Sequence, residues 1–194
     1  MIKAKKDLKE FLCYEKKLYG NKLINSFIPR ISEQGLIWKY VILLRKCEFY
    51  LNSKRKILYG FYYFRFKRLG LKLGFTIPLN VIDKGLLIYH RGNIVINADY
   101  IGKNVSIAGT LFCVAKGQTS EKPTIGDNVS IGMNVTFVGG IKIAPMIAVG
   151  AGSVVTKSFL TENVTIAGNP ARVINDKEGS SSWGGWKAHF DKSN

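Results

Sequence analysis

From Ile101 onward a bulky or branched apolar residue returns every six positions: Ile101, Ile107, Cys113, Ile125, Ile131, Phe137, Ile143 and Val149. The second position of each unit is small or β-branched, as at Gly102, Ala108, Gly126, Gly132 and Gly150, and the fifth is mostly apolar, as at Val105, Val129, Val135 and Ile147. A six-residue period matches neither the 3.6 of a helix nor an alternation of two carried on indefinitely. It matches a short strand and a tight corner, repeated. Asn104, Asn128, Asn134, Gly140 and Gly152 hold the fourth position, where a sharp corner can demand positive φ and these residue types adopt it at least cost. Stacked coils then bury the first-position side chains in one column. An ordinary β-sandwich with regular turns is the competing reading, and eight in-phase apolar positions weigh against it. Residues 116–123, KGQTSEKP, interrupt the pattern without losing its phase, since Ile107 and Ile125 are eighteen apart. They read as a loop projecting from the coil, although a degenerate pair of repeats has the same length.

Charge divides the chain in the same place. The 194 residues carry a net +16 with 46% hydrophobic residues, enough apolar side chain to exclude wholesale disorder. Residues 1–75 hold 18 Lys and Arg against 5 Asp and Glu, whereas residues 76–194 hold 11 against 8. Between Ile37 and Leu73 aromatics interleave with Lys and Arg and breakers are few, which predicts short amphipathic helices. Their partner is open among the repeated coil or a neighbouring subunit, a membrane surface, and nucleic acid. Nucleic acid is disfavoured because no recognised binding module is present. The expected organisation is a basic helical segment over residues 1–73, a coil domain over 74–174 and a tail over 175–194. Cys13, Cys47 and Cys113 are odd in number and far apart, so neither a disulfide framework nor a zinc site is predicted. With no signal-like leader and no apolar stretch of spanning length, the expected location is cytoplasmic, with peripheral contact at the inner membrane face through the basic segment left open.

The segment GLLIYHRGNIVIN, the units IGKNVSI and PTIGDNVSIG, and the closing VGAGSVVTKSF and TIAGNPARVI resemble the hexapeptide-repeat acyltransferases, within them the serine acetyltransferase-like branch, over roughly residues 74–174. The stretch WKYVILLRKCEFYLNSKRK is similar to the helical leader of members associated with surface polysaccharides. The resemblance implies a mainly β fold, a left-handed parallel β-helix of hexapeptide repeats behind an N-terminal α-helical segment. It further implies a homotrimer with acetyl-CoA in the groove between neighbouring β-helices.

Transfer of an acetyl group from a thioester to an alcohol needs a base, and neutral histidine suits that role near pH 7. Of two histidines, His90 falls where the family keeps its catalytic one, and His189 lies in a Ser-, Gly- and Lys-rich tail. By the same resemblance Gly132, Gly150, Ala151 and Gly152 line the pantetheine arm, while Lys157 and Arg172 meet the coenzyme A phosphates; each charge is equally readable as a solvated surface group. No metal is expected, because only His90 lies in the repeat region. Two departures stand out: Phe75 occupies the position of an aspartate that serine-specific members keep about fifteen residues before the histidine, and Lys122 precedes Pro123 where they keep a second histidine. Asp83 is a candidate partner for His90, or a corner aspartate facing solvent. The expected function is acetyl transfer from acetyl-CoA to a sugar hydroxyl of a surface polysaccharide or its precursor. Serine O-acetylation and a non-catalytic trimeric scaffold are the alternatives.

Overall fold

The structure is a computed structural model that describes residues 1–20, 32–115 and 121–180. Three described helices come first: α1 (Lys5–Tyr19), α2 (Glu33–Asn52) and α3 (Lys56–Leu73). Ser32 caps α2, its Oγ accepting from Gly35 N at 3.1 Å. Gly74 ends α3 with φ 78°, a left-handed cap at which any side chain would also meet the Gly92 carbonyl.

Short strands follow, grouped in three sheets that form the three walls of a coil. The first wall is β1 (Phe75–Thr76), β3 (Ile94–Ile96), β6 (Leu111–Val114), β9 (Val135–Val138) and β12 (Val154–Val155). The second is β4 (Tyr100–Ile101), β7 (Thr124–Ile125) and β10 (Lys142–Ile143). The third is β2 (Leu87–Ile88), β5 (Ser106–Ile107), β8 (Ser130–Ile131), β11 (Ala148–Val149) and β13 (Thr165–Gly168), with β14 (Ala171–Asn175) closing its end in antiparallel register. All other pairings are parallel.

Register explains why the phase survives the KGQTSEKP stretch. Ser130 pairs with Ala148 and Thr136 with Val154, eighteen residues per coil, whereas Tyr100 pairs with Thr124 and Cys113 with Phe137, twenty-four. The extra six residues are an insertion at one corner, so both strands it joins keep the same faces inward. Residues 116–120 of that stretch, and most of the 175–194 tail including His189, lie outside the described residues.

Every first-position residue of the repeat is buried, from Ile101 to Val149, and Val155 extends the column. Positive φ occurs at Asn104, Asn128, Asn134 and Gly152 as expected. At the remaining corner it falls on Gly139 and not Gly140, and Met146 takes the same conformation without being Asn or Gly. The Asn104 side chain donates to Asn128 Oδ1 at 2.9 Å in the next coil and accepts from the Tyr14 hydroxyl of α1 at 2.7 Å, so a corner ladder runs into the helical layer.

The helices cover the open first coil. Tyr40 stacks on Phe66 at 4.8 Å and meets Phe75 edge-on at 5.1 Å, joining α2, α3 and β1 in one continuous core. Gly70 permits this approach, since a Cβ there would lie 2.7 Å from the Phe75 carbonyl and 3.3 Å from the Tyr40 ring. Arg45 is buried and donates to Glu15 at 2.7 Å, to Glu48 at 3.0 Å and to the carbonyls of Ile82 and Asp83 at 2.8 and 2.7 Å. Burial disfavours its charge, but the two carboxylates more than offset that and hold its pKa above the ordinary range. Glu15 also accepts from Gly85 N and Leu86 N, and Glu48 from Asn80 N, so three buried charges pin α1 and α2 to residues 80–86.

Candidate active site

His90 stands two residues after β2, at the corner between the third and first walls. The strand before it is held from the helical side, because the Tyr19 hydroxyl accepts from Ile88 N at 2.9 Å. The first turn of α2 holds the corner itself. Gln34 Nε2 donates to the Tyr89 carbonyl, and Glu33 Oε1 accepts from Arg91 N at 2.6 Å. The same Glu33 oxygen lies 3.8 Å from His90 Nδ1, too far for a hydrogen bond, so the carboxylate faces that nitrogen across a short gap. The His90 side chain is 58% exposed.

Along this edge the third position of each unit stacks on the next: His90, Gly109, Met133, Ala151. A Cβ at Gly109 would lie 3.1 Å from Met133 Cε and 3.9 Å from His90 Cβ, and Gly152 N donates to the Met133 carbonyl at 2.8 Å. With coils roughly 4.8 Å apart, His90 and Ala151 are separated by about 14 Å along the edge. Gly132, Gly150, Ala151 and Gly152 therefore share one edge with His90. The reason for the glycines differs from position to position. A Cβ on Gly132 would sit 2.6 Å from Ala151 N and one on Gly150 would sit 2.8 Å from Ala167 Cβ, so coil stacking already requires both. Gly152 has φ 72° with open space around it, so the left-handed turn and not coil stacking favours glycine there. Ser153 Oγ, buried beneath it, donates to the Gly150 carbonyl at 2.6 Å and fixes the turn. Arg172 pairs with Ala167 and is exposed at the far end of the same edge.

Lys157 is elsewhere. It follows β12 at the corner between the first and second walls, with Nζ 5.5 Å above the Phe159 ring. Lys122, before β7, belongs to that second corner as well. Asp83 is not the partner of His90: at yet another corner, its carboxylate accepts from Lys84 N at 2.7 Å and from the Tyr100 hydroxyl at 3.2 Å. Phe75 is a core residue under Tyr40. Burial pushes the thiols of Cys47 and Cys113 up to about 12, which leaves neither as a nucleophile at neutral pH. Among the described residues no cluster of His, Cys, Asp and Glu could hold a metal ion.

A stacked three-walled coil of six-residue units, bearing an exposed histidine on one edge, defines a class of protein. The chain has the fold of the solved serine acetyltransferases, a left-handed β-helix of hexapeptide repeats behind an N-terminal helical region. It is 37% identical over 105 residues to a probable serine acetyltransferase of Oryza sativa subsp. japonica, covering 53% of this chain and 34% of that protein. It is thus matched over about a third of that relative's length. Among solved structures, the serine acetyltransferase of Brucella abortus strain S19 superposes with TM-score 0.69 at 23% identity, over 90% of this chain and 71% of that one. The soybean serine acetyltransferase in complex with serine gives 0.65 at 25% identity, over 86% and 69%. No family model matches the chain.

Proposed function

We propose that the protein is an acetyl-CoA-dependent O-acetyltransferase in which His90 is the general base. The observation that carries this reading is the placement of His90 beside Glu33 at the head of an edge that runs past the open turn at Gly152. Nδ1 faces the Glu33 carboxylate, so Nε2 is the nitrogen that takes the acceptor's hydroxyl proton. The acceptor oxygen attacks the thioester carbonyl carbon. The tetrahedral oxyanion then collapses, the C–S bond breaks, and the proton on Nε2 passes to the departing thiolate. Glu33 acts as a positioning residue that stabilises the imidazolium formed during transfer.

The edge is open to water in a single chain, and Lys157 lies on a different edge from Arg172. Both facts support a homotrimer, in which a neighbouring protomer's edge closes the groove and contributes its own Lys157 to the coenzyme A phosphates. Gly152 with Ala151 then flanks the pantetheine arm, while Gly132 and Gly150 set the spacing of the coils that form that wall. The helical segment over 1–73 and the coil over 74–174 act as one unit in this reading.

The names of the relatives make L-serine the leading acceptor, and cysteine biosynthesis the corresponding setting; none of those reported above supports a sugar. Phe75 and Lys122 favour a second reading, a sugar hydroxyl, because neither can supply the carboxylate and imidazole that the resemblance associates with binding free serine. Release of free thiol from acetyl-CoA, measured with L-serine and with nucleotide- or lipid-linked sugars, decides between them. Rapid turnover of serine removes the sugar reading. Turnover of a sugar alone removes serine, and failure to bind acetyl-CoA at all removes both in favour of a scaffold.

A further inference from the structure

The helical layer presents a second surface, remote in character from the His90 edge. Helix α3 has two apolar faces. Tyr59, Tyr62, Tyr63, Phe66, Leu69 and Leu73 turn inward and are buried or half-buried. On the opposite side Ile57, Phe61, Phe64, Arg68 and Leu71 follow one another at spacings of four, three, four and three, within about 80° of helical arc. The four apolar members of that stripe are 90%, 54%, 68% and 85% exposed. Cations border it on both sides, Arg65 and Lys72 along one flank and Lys56 and Lys67 along the other. The Arg65 guanidinium lies 5.4 Å above the Phe61 ring, and Lys39 and Leu43 of α2 extend the surface into a groove of about 600 Å³.

Charge selects the occupant. From Phe49 to Ile82 the chain contains seven Lys and Arg and neither Asp nor Glu. A second copy meeting this face symmetrically would bring the same cations against each other, since a two-fold contact pairs a patch with itself. The partner is therefore anionic. Ile57 and Leu71, the most exposed members, offer nothing for a base to stack on, but they are the side chains that an acyl boundary accepts. No described helix is long and apolar enough to cross a membrane, so the contact is one of lying on the surface.

We infer that α3 docks on the surface of an anionic phospholipid bilayer, inserting Ile57, Phe61, Phe64 and Leu71 while Lys56, Arg65, Lys67, Arg68 and Lys72 meet the headgroups. The test is flotation of the full chain with vesicles of phosphatidylcholine alone and of phosphatidylcholine containing 30% phosphatidylglycerol, across a salt series, with acetyl transfer measured in parallel. Binding is expected to the anionic vesicles and to weaken as salt rises. Arg65→Gln and Arg68→Gln should each lower partitioning about five-fold, and F61S/F64S should lower it at every salt concentration, with acetyl transfer unchanged. Equal binding to both vesicle types, or binding insensitive to salt, overturns the inference without recourse to any variant. So does a fall in oligomer size caused by F61S/F64S, which would assign the stripe to a subunit contact, or tighter binding of a single-stranded oligonucleotide than of the anionic vesicles.

Discussion

His90 owes its place to residues that are distant in the chain: the Tyr19 hydroxyl on the strand before it, and Gln34 and Glu33 on the corner that contains it. Because its own side chain is exposed, His90→Ala should leave the urea midpoint unchanged while kcat falls about 10²- to 10⁴-fold. Glu33→Gln should lower kcat about ten-fold with KM little altered, and Glu33→Asp should recover part of the loss. A KM effect as large as the kcat effect would mean that Glu33 binds substrate and does not position the base. The histidine proposed as the base stood out in the sequence by its place in a motif. Glu33 did not, since Ser32 followed by an acid signals only a helix start, and nothing local tells that its carboxylate reaches residues 90 and 91. The glycines show the reverse. Their clustering was visible, but two different physical demands lay behind it. Gly132→Ala should destabilise by about 1–3 kcal/mol, because the next coil's backbone occupies the space. Gly152→Ala should cost only the strain of positive φ, about 1 kcal/mol, with Gly152→Asn cheaper still.

At the scale of elements, the coils read most clearly where the period is unbroken. Between β5 and β12 first-position residues fall in phase and the six-residue rule finds them all. In the first coil Ile82 pairs with Ile101 and Leu87 with Ser106, offsets of nineteen, while Ile94 pairs with Leu111, an offset of seventeen. In the last, Phe159 pairs with Ile143, sixteen apart. Corners of unequal length at both ends remove the period while the walls continue, so the six-residue rule alone misses those coils and only the motif resemblance reached them. The buried Glu15–Arg45–Glu48 group was hidden, because charged residues within a basic helical segment read as solvated. Its pH behaviour follows from one direction. Burial holds the Glu48 carboxyl above its ordinary value near 4.5, only partly opposed by Arg45. The folded state thus binds this proton more tightly than the unfolded state. The associated stability is present below about pH 4.5 and is lost as pH rises through the raised value. Glu48→Gln, which mimics the protonated acid, should match the wild type in acid and gain relative to it as pH rises, measured by urea midpoints over that range. Arg45→Met should cost about 3–5 kcal/mol near neutrality by leaving buried carboxylates unpaired.

For the whole molecule, the charge asymmetry marked a boundary near residue 75 that the packing does not treat as one. Helices end at Leu73 and strands begin at Phe75, yet Tyr40, Phe66, Leu73, Phe75, Ile77 and Leu86 belong to a single core. A β-helix needs its ends covered, since an open coil exposes both apolar side chains and unpaired strand backbone. At the C-terminal end antiparallel β14 runs along β13 and closes the third wall. At the N-terminal end the helical layer covers the first coil, and the Arg45 contacts to the Ile82 and Asp83 carbonyls satisfy backbone groups there that have no preceding coil to bond. The basic segment is therefore a cap on its inner side, whatever its outer face contacts. A chain lacking residues 1–74 would uncover Phe75, Ile77, Ile82 and Leu86 together and leave those carbonyls without donors. Such a chain is expected to aggregate or to melt without a cooperative transition, while F61S/F64S in the full chain melts as the wild type does. Size-exclusion chromatography and thermal unfolding of the two proteins check this. A truncated chain that stays monodisperse and unfolds at the wild-type temperature would show that the β-helix needs no cap and that the helical layer is an independent appendage.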